Sequence, residues 1–288
     1  MANRKLSFRL GASLFLAIAV TAGAIGQSSK NAPVKSIRLY VFDGGKLDVP
    51  DTAPYRMKKE DLATTYMSVA SFLVVHPKGT LMWDTGAVPD ASITAGGGHG
   101  TIRYASATKT LESQLAEAGY SPGSINYLAL SHFHWDHVGN ANLFGHATWL
   151  VAKAERDMMF SDPPSTRTEP QNFSALKNAK TILLTGNEYD VFGDGSVVIM
   201  AAPGHSPRHQ VLFLKLARTG PVMLSGDLYH YPEERKLKLI PTTEFDAEQT
   251  AASRASIEAF LKKSGAQLWI QHDFNANAKL RKAPAYYD

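Results

Sequence analysis

Apolar residues recur along the chain at two different spacings. IRLYVFDGG and VASFLVVHPKGTLMWDTG (69–86) are rich in β-branched and aromatic residues and predict strands, the second a hairpin turned at Pro77-Lys78-Gly79. TKTLESQLAEAGY sets Leu111, Leu115 and Ala118 on one helical face and stops at Gly119. INYLAL (125–130) predicts a buried strand, and WLVAKAERDMM (149–159) a short strand feeding a helix. From Phe160 to about Asn178, paired prolines and polar residues predict a loop or insertion. GSVVIMAAPGH (195–205) predicts a strand ending in a Pro-Gly turn at His205. QVLFLKLARTGPVMLSGD (210–227) predicts a hairpin turned near Arg218-Thr219-Gly220 and ending at Asp227. Near the C-terminus, Ile257, Phe260 and Leu261 fall at helical spacing before Lys262, Lys263 and Gly265 close the helix, and QLWIQHD (267–273) is a last strand ending at His272. Strands interleaved with helices indicate a layered α/β domain with no internal repeat.

The first 26 residues do not share this pattern. Arg4, Lys5 and Arg9 precede an uncharged run, LGASLFLAIAVTAGAI, which ends in small residues at Ala22, Ala24 and Gly26. This is the form of a secretory signal, and the run is short against the ~20 apolar residues of a spanning helix. Cleavage after Ala24 or Gly26 is expected, leaving 27–288 as an exported domain, periplasmic or extracellular, with no stable membrane association. Without residues 1–26 the chain keeps 27 of its 30 basic residues against 26 acidic, a net charge of +1 rather than +4. No nucleic-acid footprint is implied. There are no cysteines, so neither disulfides nor a lipid-anchoring cysteine are available, and any metal must be held by nitrogen and oxygen. The oligomeric state is open, a homodimer being one option.

Three of the ten histidines, with an aspartate, crowd into SHFHWDHVGN (131–140). In an extended segment side chains alternate, so His132 and His134 can face one ion. Asp136 shares that face if the extension continues, and a turn there would swing His137 toward a second ion. This segment, His205, Asp227 and His272 each follow a predicted buried strand, and in layered α/β folds such strand ends gather along one edge. Seven candidates result: His132, His134, Asp136, His137, His205, Asp227 and His272. Three imidazoles suffice for one catalytic zinc, whereas seven nitrogen and oxygen ligands suit two ions sharing a carboxylate, for which Asp227 is the natural bridge.

HFHWDH, followed by GHSPRH, SGD and QHD, resembles the HxHxDH hallmark and later ligands of the metallo-β-lactamase superfamily, and Asp84 in LMWDTG matches that family's early aspartate. Within it the chain is most similar to the N-acyl-homoserine lactonases. The resemblance implies a four-layer αβ/βα sandwich with two zinc ions per chain, other divalent metals being an option. His132, His134 and His205 would hold one ion, Asp136, His137 and His272 the other, with Asp227 bridging. It also implies a small lactone substrate whose ring is opened by metal-activated hydroxide. Three positions depart from the family. His230, flanked by Tyr229 and Tyr231, stands where lactonases often carry a tyrosine that contacts the substrate carbonyl; Arg208 and Gln271 replace glycines. His230 or Tyr229 is then the candidate oxyanion donor, and Asp136 or a water the proton carrier.

Other residues have plainer expectations. Phe133 and Trp135 read as core beneath the site, His209 and Asp84 as supports of ligands, His76 and His146 as turn or surface residues. His99 in AGGGHG (95–100) belongs to a loop that lacks the Lys-Ser/Thr of a phosphate cradle. Substrate walls are expected from loops 47–68, 87–107 and 160–178. The competing readings are an exported zinc hydrolase of other lactones, thioesters or β-lactams. Thioester hydrolases of the glyoxalase II kind add a glutathione-binding helical domain after the last ligand, for which the 16 residues beyond His272 leave no room. True metallo-β-lactamases lack the bridging aspartate. Diiron redox relatives put glutamate at the position His134 holds and usually bring a flavin domain, and a purely binding module has no need of a bridging carboxylate.

Overall fold

Uninterrupted apolar strands make sense when both faces of a sheet are covered, and that is how the chain folds. The computed structural model describes residues 1–2, 35–93 and 100–288, so the leader from residue 3 onward and His99 lie outside the described residues. Eight strands of the first sheet come in chain order: β1 (Arg38–Asp48), β2 (Tyr66–His76), β3 (Gly79–Trp83), β4 (Gly100–Ile102), β5 (Ala105–Ala107), β6 (Tyr127–Ala129), β7 (Thr148–Ala152) and β8 (Thr181–Leu184). The second sheet is β9 (Glu188–Asp190), β10 (Val197–Ala201), β11 (Gln210–Leu216), β12 (Gly220–Leu224) and β13 (Gln267–Trp269); β14 (Tyr286–Tyr287) returns to pair with β1. The spatial orders are β4-β5-β1-β2-β3-β6-β7-β8 and β13-β12-β11-β10-β9.

Alternation along β2 divides Ala70, Phe72 and Val74 from Leu73 and Val75. The first set meets Leu212, Leu214, Val222 and Leu224 of the second sheet in the central core. The second set packs outward against Leu111 and Leu115 of α1 (Leu111–Glu117). Val211, Phe213 and Met223 point outward from the second sheet onto Ile257 and Leu261 of the long C-terminal helix. The layers are therefore helix, sheet, sheet, helix: the αβ/βα sandwich. The remaining helices, in chain order, are α2 (Lys153–Met159), α3 (Pro232–Leu237), α4 (Ala247–Ser264), which is that long helix, and α5 (Phe274–Asn277). Asp246 caps α4 by accepting from the backbone N–H groups of Glu248 and Gln249, and Gly265 ends it at φ 69°. Ile257 and Leu261 are each buried, worth roughly 1.5–3 kcal/mol apiece. No described helix is long and apolar enough to cross a membrane.

Some expectations need revising. Gly44-Gly45 does not end the first strand: register shifts between Asp43 and Lys46, and β1 runs on to Asp48. A Cβ on Gly44 would stand 2.7 Å from the Cα of Gly86, so the glycines make a bulge that admits a neighbouring loop. His76 is no surface residue; it ends β2 buried, stacked on Phe192 and bonded to Asp194 at 2.9 Å. His146 is exposed, as expected.

Candidate metal centre

Four strand ends converge on one rim. β6 delivers the 131–137 loop, β10 the loop carrying His205, β12 the turn carrying Asp227, and β13 His272. The extension through His134 does not continue: the N–H of His137 donates to the carbonyl of His134 at 3.0 Å, closing a turn that moves Asp136 and His137 away from the first pair. Asp136 is thus on the His137 side, not on the His132–His134 face.

The side chains form two clusters around Asp227. In the first, Nε2 of His132 and Nε2 of His205 lie 2.8 and 2.9 Å from Nδ1 of His134, with Oδ2 of Asp227 3.7 Å from the former and 3.3 Å from the latter. In the second, Nε2 of His137 and Nε2 of His272 lie 3.1 and 3.0 Å from Oδ1 of Asp227, and 3.8 and 3.6 Å from Oδ2 of Asp136. One carboxylate gives one oxygen to each cluster. All seven residues are buried. Buried Nε2 of His137 and Oδ1 of Asp227 have no hydrogen-bond partner among the described residues, although both sit at the centre of the cluster. Orphaned donors and acceptors in a dry interior are costly, and a cation satisfies such a set at once. Each cluster fits a divalent ion by its donor chemistry.

Supporting groups fix which nitrogen faces inward. Asp84, turned by φ 54° directly after β3, accepts from the N–H of Ser131 at 2.6 Å and pairs with Nδ1 of His137 at 2.9 Å. Gln271, in place of the family glycine, donates its amide to Asp84 and to the carbonyl of Ala70, both at 2.9 Å. Nδ1 of His272 donates to the carbonyl of Ser68 at 2.7 Å, and Nδ1 of His205 meets Glu244 at 3.1 Å. His209 supports Asp227 as expected: its Nε2 accepts the Asp227 N–H at 2.9 Å while Nδ1 reaches the carbonyl of Ala202 at 3.2 Å.

Charge is arranged to match. Burial, with neighbouring imidazoles, drives His132 and His134 well below the ordinary histidine value, which keeps both rings neutral, the form in which an imidazole can hold a cation. Burial and His205 push His209 down to about 3. His137 goes the other way: burial opposes its proton, but Asp227, Asp136 and Asp84 outweigh burial and hold it well above the ordinary value. Burial likewise resists ionisation of Asp227, and His272, His137 and His132 overcome it. The cluster is built to hold positive charge beside two carboxylates.

The family model of the metallo-beta-lactamase superfamily matches residues 64–269, most of the folded chain and all seven residues but His272. The chain belongs to the metallo-β-lactamase superfamily. Among its relatives in the superfamily, the N-acyl homoserine lactonase AttM of Azorhizobium caulinodans is 27% identical over 271 residues, spanning 88% of this chain and 99% of its own. The N-acyl homoserine lactonase AiiA of Bacillus thuringiensis subsp. kurstaki is 26% identical over 226 residues, 76% of this chain and 87% of its own. Similar solved folds include an N-acyl homoserine lactone hydrolase with N-hexanoyl-L-homoserine at its catalytic metal centre, with TM-score 0.71, 23% identity, and coverage of 88% of this chain and 100% of that one. The dizinc quorum-quenching lactonase AidC has TM-score 0.64 and 19% identity, covering 88% and 95%.

The metallo-β-lactamase centre opens into a cavity of about 350 Å³. Its walls come from the three loops expected to supply them: Leu47, Val49 and Tyr55 from the first, Tyr104 from the second, Arg167 from the third. Phe133 is core, while Trp135 is buried yet also lines the cavity. A larger groove of about 590 Å³ beside α3 and α5 has Asp273 as its one carboxylate and no histidine, so it is not a second centre. His230 lines the site cavity, its Nε2 3.4 Å from Oδ2 of Asp227 and its Nδ1 3.2 Å from Glu234, which Arg254 holds at 2.9 Å. Burial resists its proton, but Glu234 and Asp227 raise His230 to about 10. Tyr229 is not brought to the site: its hydroxyl donates to Glu258 at 3.1 Å and its ring lies beneath Arg254.

Several contributors carry no local signal in the sequence. Glu155, buried at the start of α2, accepts from the N–H of Phe133 at 3.1 Å, the hydroxyl of Ser206 at 2.6 Å and the N–H of Arg208 at 2.7 Å. It thereby ties together the two loops that supply the first cluster. Tyr55 sits with its ring 5.0 Å from that of His230. Arg167 reaches the centre from the 160–178 segment, read only as a loop or insertion, and Glu244 from a stretch for which the sequence pattern predicts no element.

Proposed function

We propose that this superfamily hydrolase opens the lactone ring of N-acyl homoserine lactones, using two zinc ions. The observation that carries the reading is Asp227 dividing its two oxygens between two clusters of buried imidazoles at the floor of a half-apolar cavity. Relatives that align over 88% of the chain and bear the name N-acyl homoserine lactonase support the substrate class. His132, His134 and His205 on one side and Asp136, His137 and His272 on the other, with Asp227 between them, would hold the ions, which when bound would supply a nucleophile near neutral pH and an electrophile for a carbonyl oxygen. The chain's own residues do the rest. His230, oriented by Glu234, presents Nε2 to the cavity as a donor for the oxygen that gains negative charge. Asp136, whose carboxylate faces the cavity beside His137 and His272, takes the proton of the attacking oxygen as the new C–O bond forms and returns it to the alkoxide oxygen as the ring C–O bond breaks. Leu47, Val49 and Met67 form an apolar wall for an acyl chain.

The test is a pH-indicator assay with metal-quantified protein on short- and long-chain N-acyl homoserine lactones, a thioester and a β-lactam. Ring opening of the lactones, lost on chelation and restored by zinc, is expected. Turnover of the thioester or β-lactam without any lactone would replace this reading by the other zinc-hydrolase one. Export is proposed on the N-terminal leader alone. Mature protein recovered from outside the cytoplasm should begin at Ile25 or Gln27 on N-terminal sequencing; an intact N-terminus in the cytoplasm would refute it.

A further inference from the structure

Arg167 stands on the partition between the site cavity and a smaller one of about 220 Å³, lining both. Its Nη2 donates to the carbonyl of Thr243 at 2.6 Å, which pins the guanidinium across the two loops. Its Nη1 lies 3.3 Å from Nε2 of His134. His134 turns its other nitrogen, Nδ1, into the first cluster. An imidazole that ligates a cation through one nitrogen carries its proton on the other. With the metal bound, Nη1 and Nε2 of this pair are therefore two N–H donors facing each other, and neither can accept from its neighbour. The second guanidinium at the cavity is different: Arg103 is satisfied by Glu169 at 2.7 and 2.9 Å and lies over the ring of Trp135. Arg167 has no carboxylate partner among the described residues.

Two convergent donors, one of them charged, call for a shared acceptor oxygen at the cavity wall. Resting on the lactonase reading, we propose that Arg167, with the outer edge of His134, binds the amide carbonyl of the acyl chain and selects amide-bearing lactones over plain alkyl lactones. The chemistry fits in length. In an N-acyl homoserine lactone the amide carbonyl carbon is three bonds from the lactone carbonyl carbon, and here one imidazole ring separates the donor pair from the cluster that faces the scissile group. A donor pair of this kind makes Arg167 a specificity-determining residue rather than a catalytic one.

The experiment compares wild type, Arg167→Met and Arg167→Lys, each with zinc quantified, on N-hexanoyl-homoserine lactone and γ-decalactone. Calorimetric titration with the two ring-opened acids, N-hexanoyl-homoserine and 4-hydroxydecanoate, gives a readout independent of turnover. Arg167→Met is expected to shift the kcat/KM ratio by about tenfold against the amide substrate, chiefly through KM. It should weaken N-hexanoyl-homoserine relative to 4-hydroxydecanoate by a similar factor, and Arg167→Lys should recover part of both effects. Equal losses on both substrates, loss of zinc from the Met variant, or an unchanged ratio would overturn the proposal, the first two making Arg167 a support for His134. If wild type opens neither lactone, the lactonase reading fails by itself. The titration then still judges Arg167, because an unchanged affinity ratio in the Met variant refutes the donor pair.

Discussion

Tyr229 and His230 are adjacent, and extended backbone at Tyr229 (φ −142°, ψ 138°) sends the two side chains to opposite sides. Both are candidates as donor to the substrate oxygen, because by the family resemblance His230 stands where lactonases often carry a tyrosine and Tyr229 lies directly beside it. Only His230 reaches the cavity. His230→Phe is expected to lower kcat by about a hundredfold with zinc content retained, as for loss of one oxyanion donor. Tyr229→Phe, which removes only the hydroxyl bonded to Glu258, should leave kcat within about twofold; steady-state kinetics beside metal analysis separates the two. Gly226 is a second residue-scale constraint. Its φ is 48°, and a Cβ there would stand 2.6 Å from Nε2 of His209 and 2.7 Å from the Cβ of Ser131. Gly226→Ala should therefore cost about 1–3 kcal/mol in urea unfolding, through strain and displacement of the His209 bond to Asp227.

At the scale of the element, α2 is more than a packing helix. Its period was readable, but a glutamate on the first turn reads as solvated, and nothing local tells that Glu155 turns inward. Burial pushes its carboxyl up to about 7, against three hydrogen bonds that favour the carboxylate. Glu155→Gln can still accept from Ser206 or Arg208, yet its amide sets a donor against the N–H of Phe133. The expected result is zinc affinity about 10–100-fold weaker, read by competition with a chromogenic chelator, while far-ultraviolet circular dichroism stays unchanged. The short edge strand β8 escaped the pattern because Thr181, Ile182 and Leu183 remain partly exposed and lack the signature of a doubly covered strand.

For the whole molecule, the centre is where two sheets meet, so metal and fold are linked. Stripping the ions should lower Tm by about 10 °C, since a ligand at a thousandfold excess over Kd stabilises by about 4 kcal/mol; differential scanning fluorimetry with and without chelator measures it. Glu244 supplies a pH signature of the metal-free protein. Burial would raise its pKa, but the bond to His205 and nearby charge bring it from 4.5 to about 2. Because the folded value is the lower one, its stabilisation is present above about 4.5 and lost as pH falls through about 2. The urea midpoint of chelated protein should drop from pH 5 to pH 3, and Glu244→Gln should flatten that drop.

Sequence by itself determined the layered α/β class, the order of the main strands and the seven clustered residues, because strand periodicity and a dense histidine motif are local properties. It also pointed to Asp227 as the residue shared between two clusters, since a carboxylate has two oxygens, and each of them does face a different cluster. Only the tertiary structure decided where the turn after His134 closes, that His230 and not Tyr229 faces the cavity, and that Glu155, Arg167 and Glu244 reach the centre. Those outcomes depend on where one turn closes and on which buried polar groups find partners across distant segments, and no local spacing encodes either.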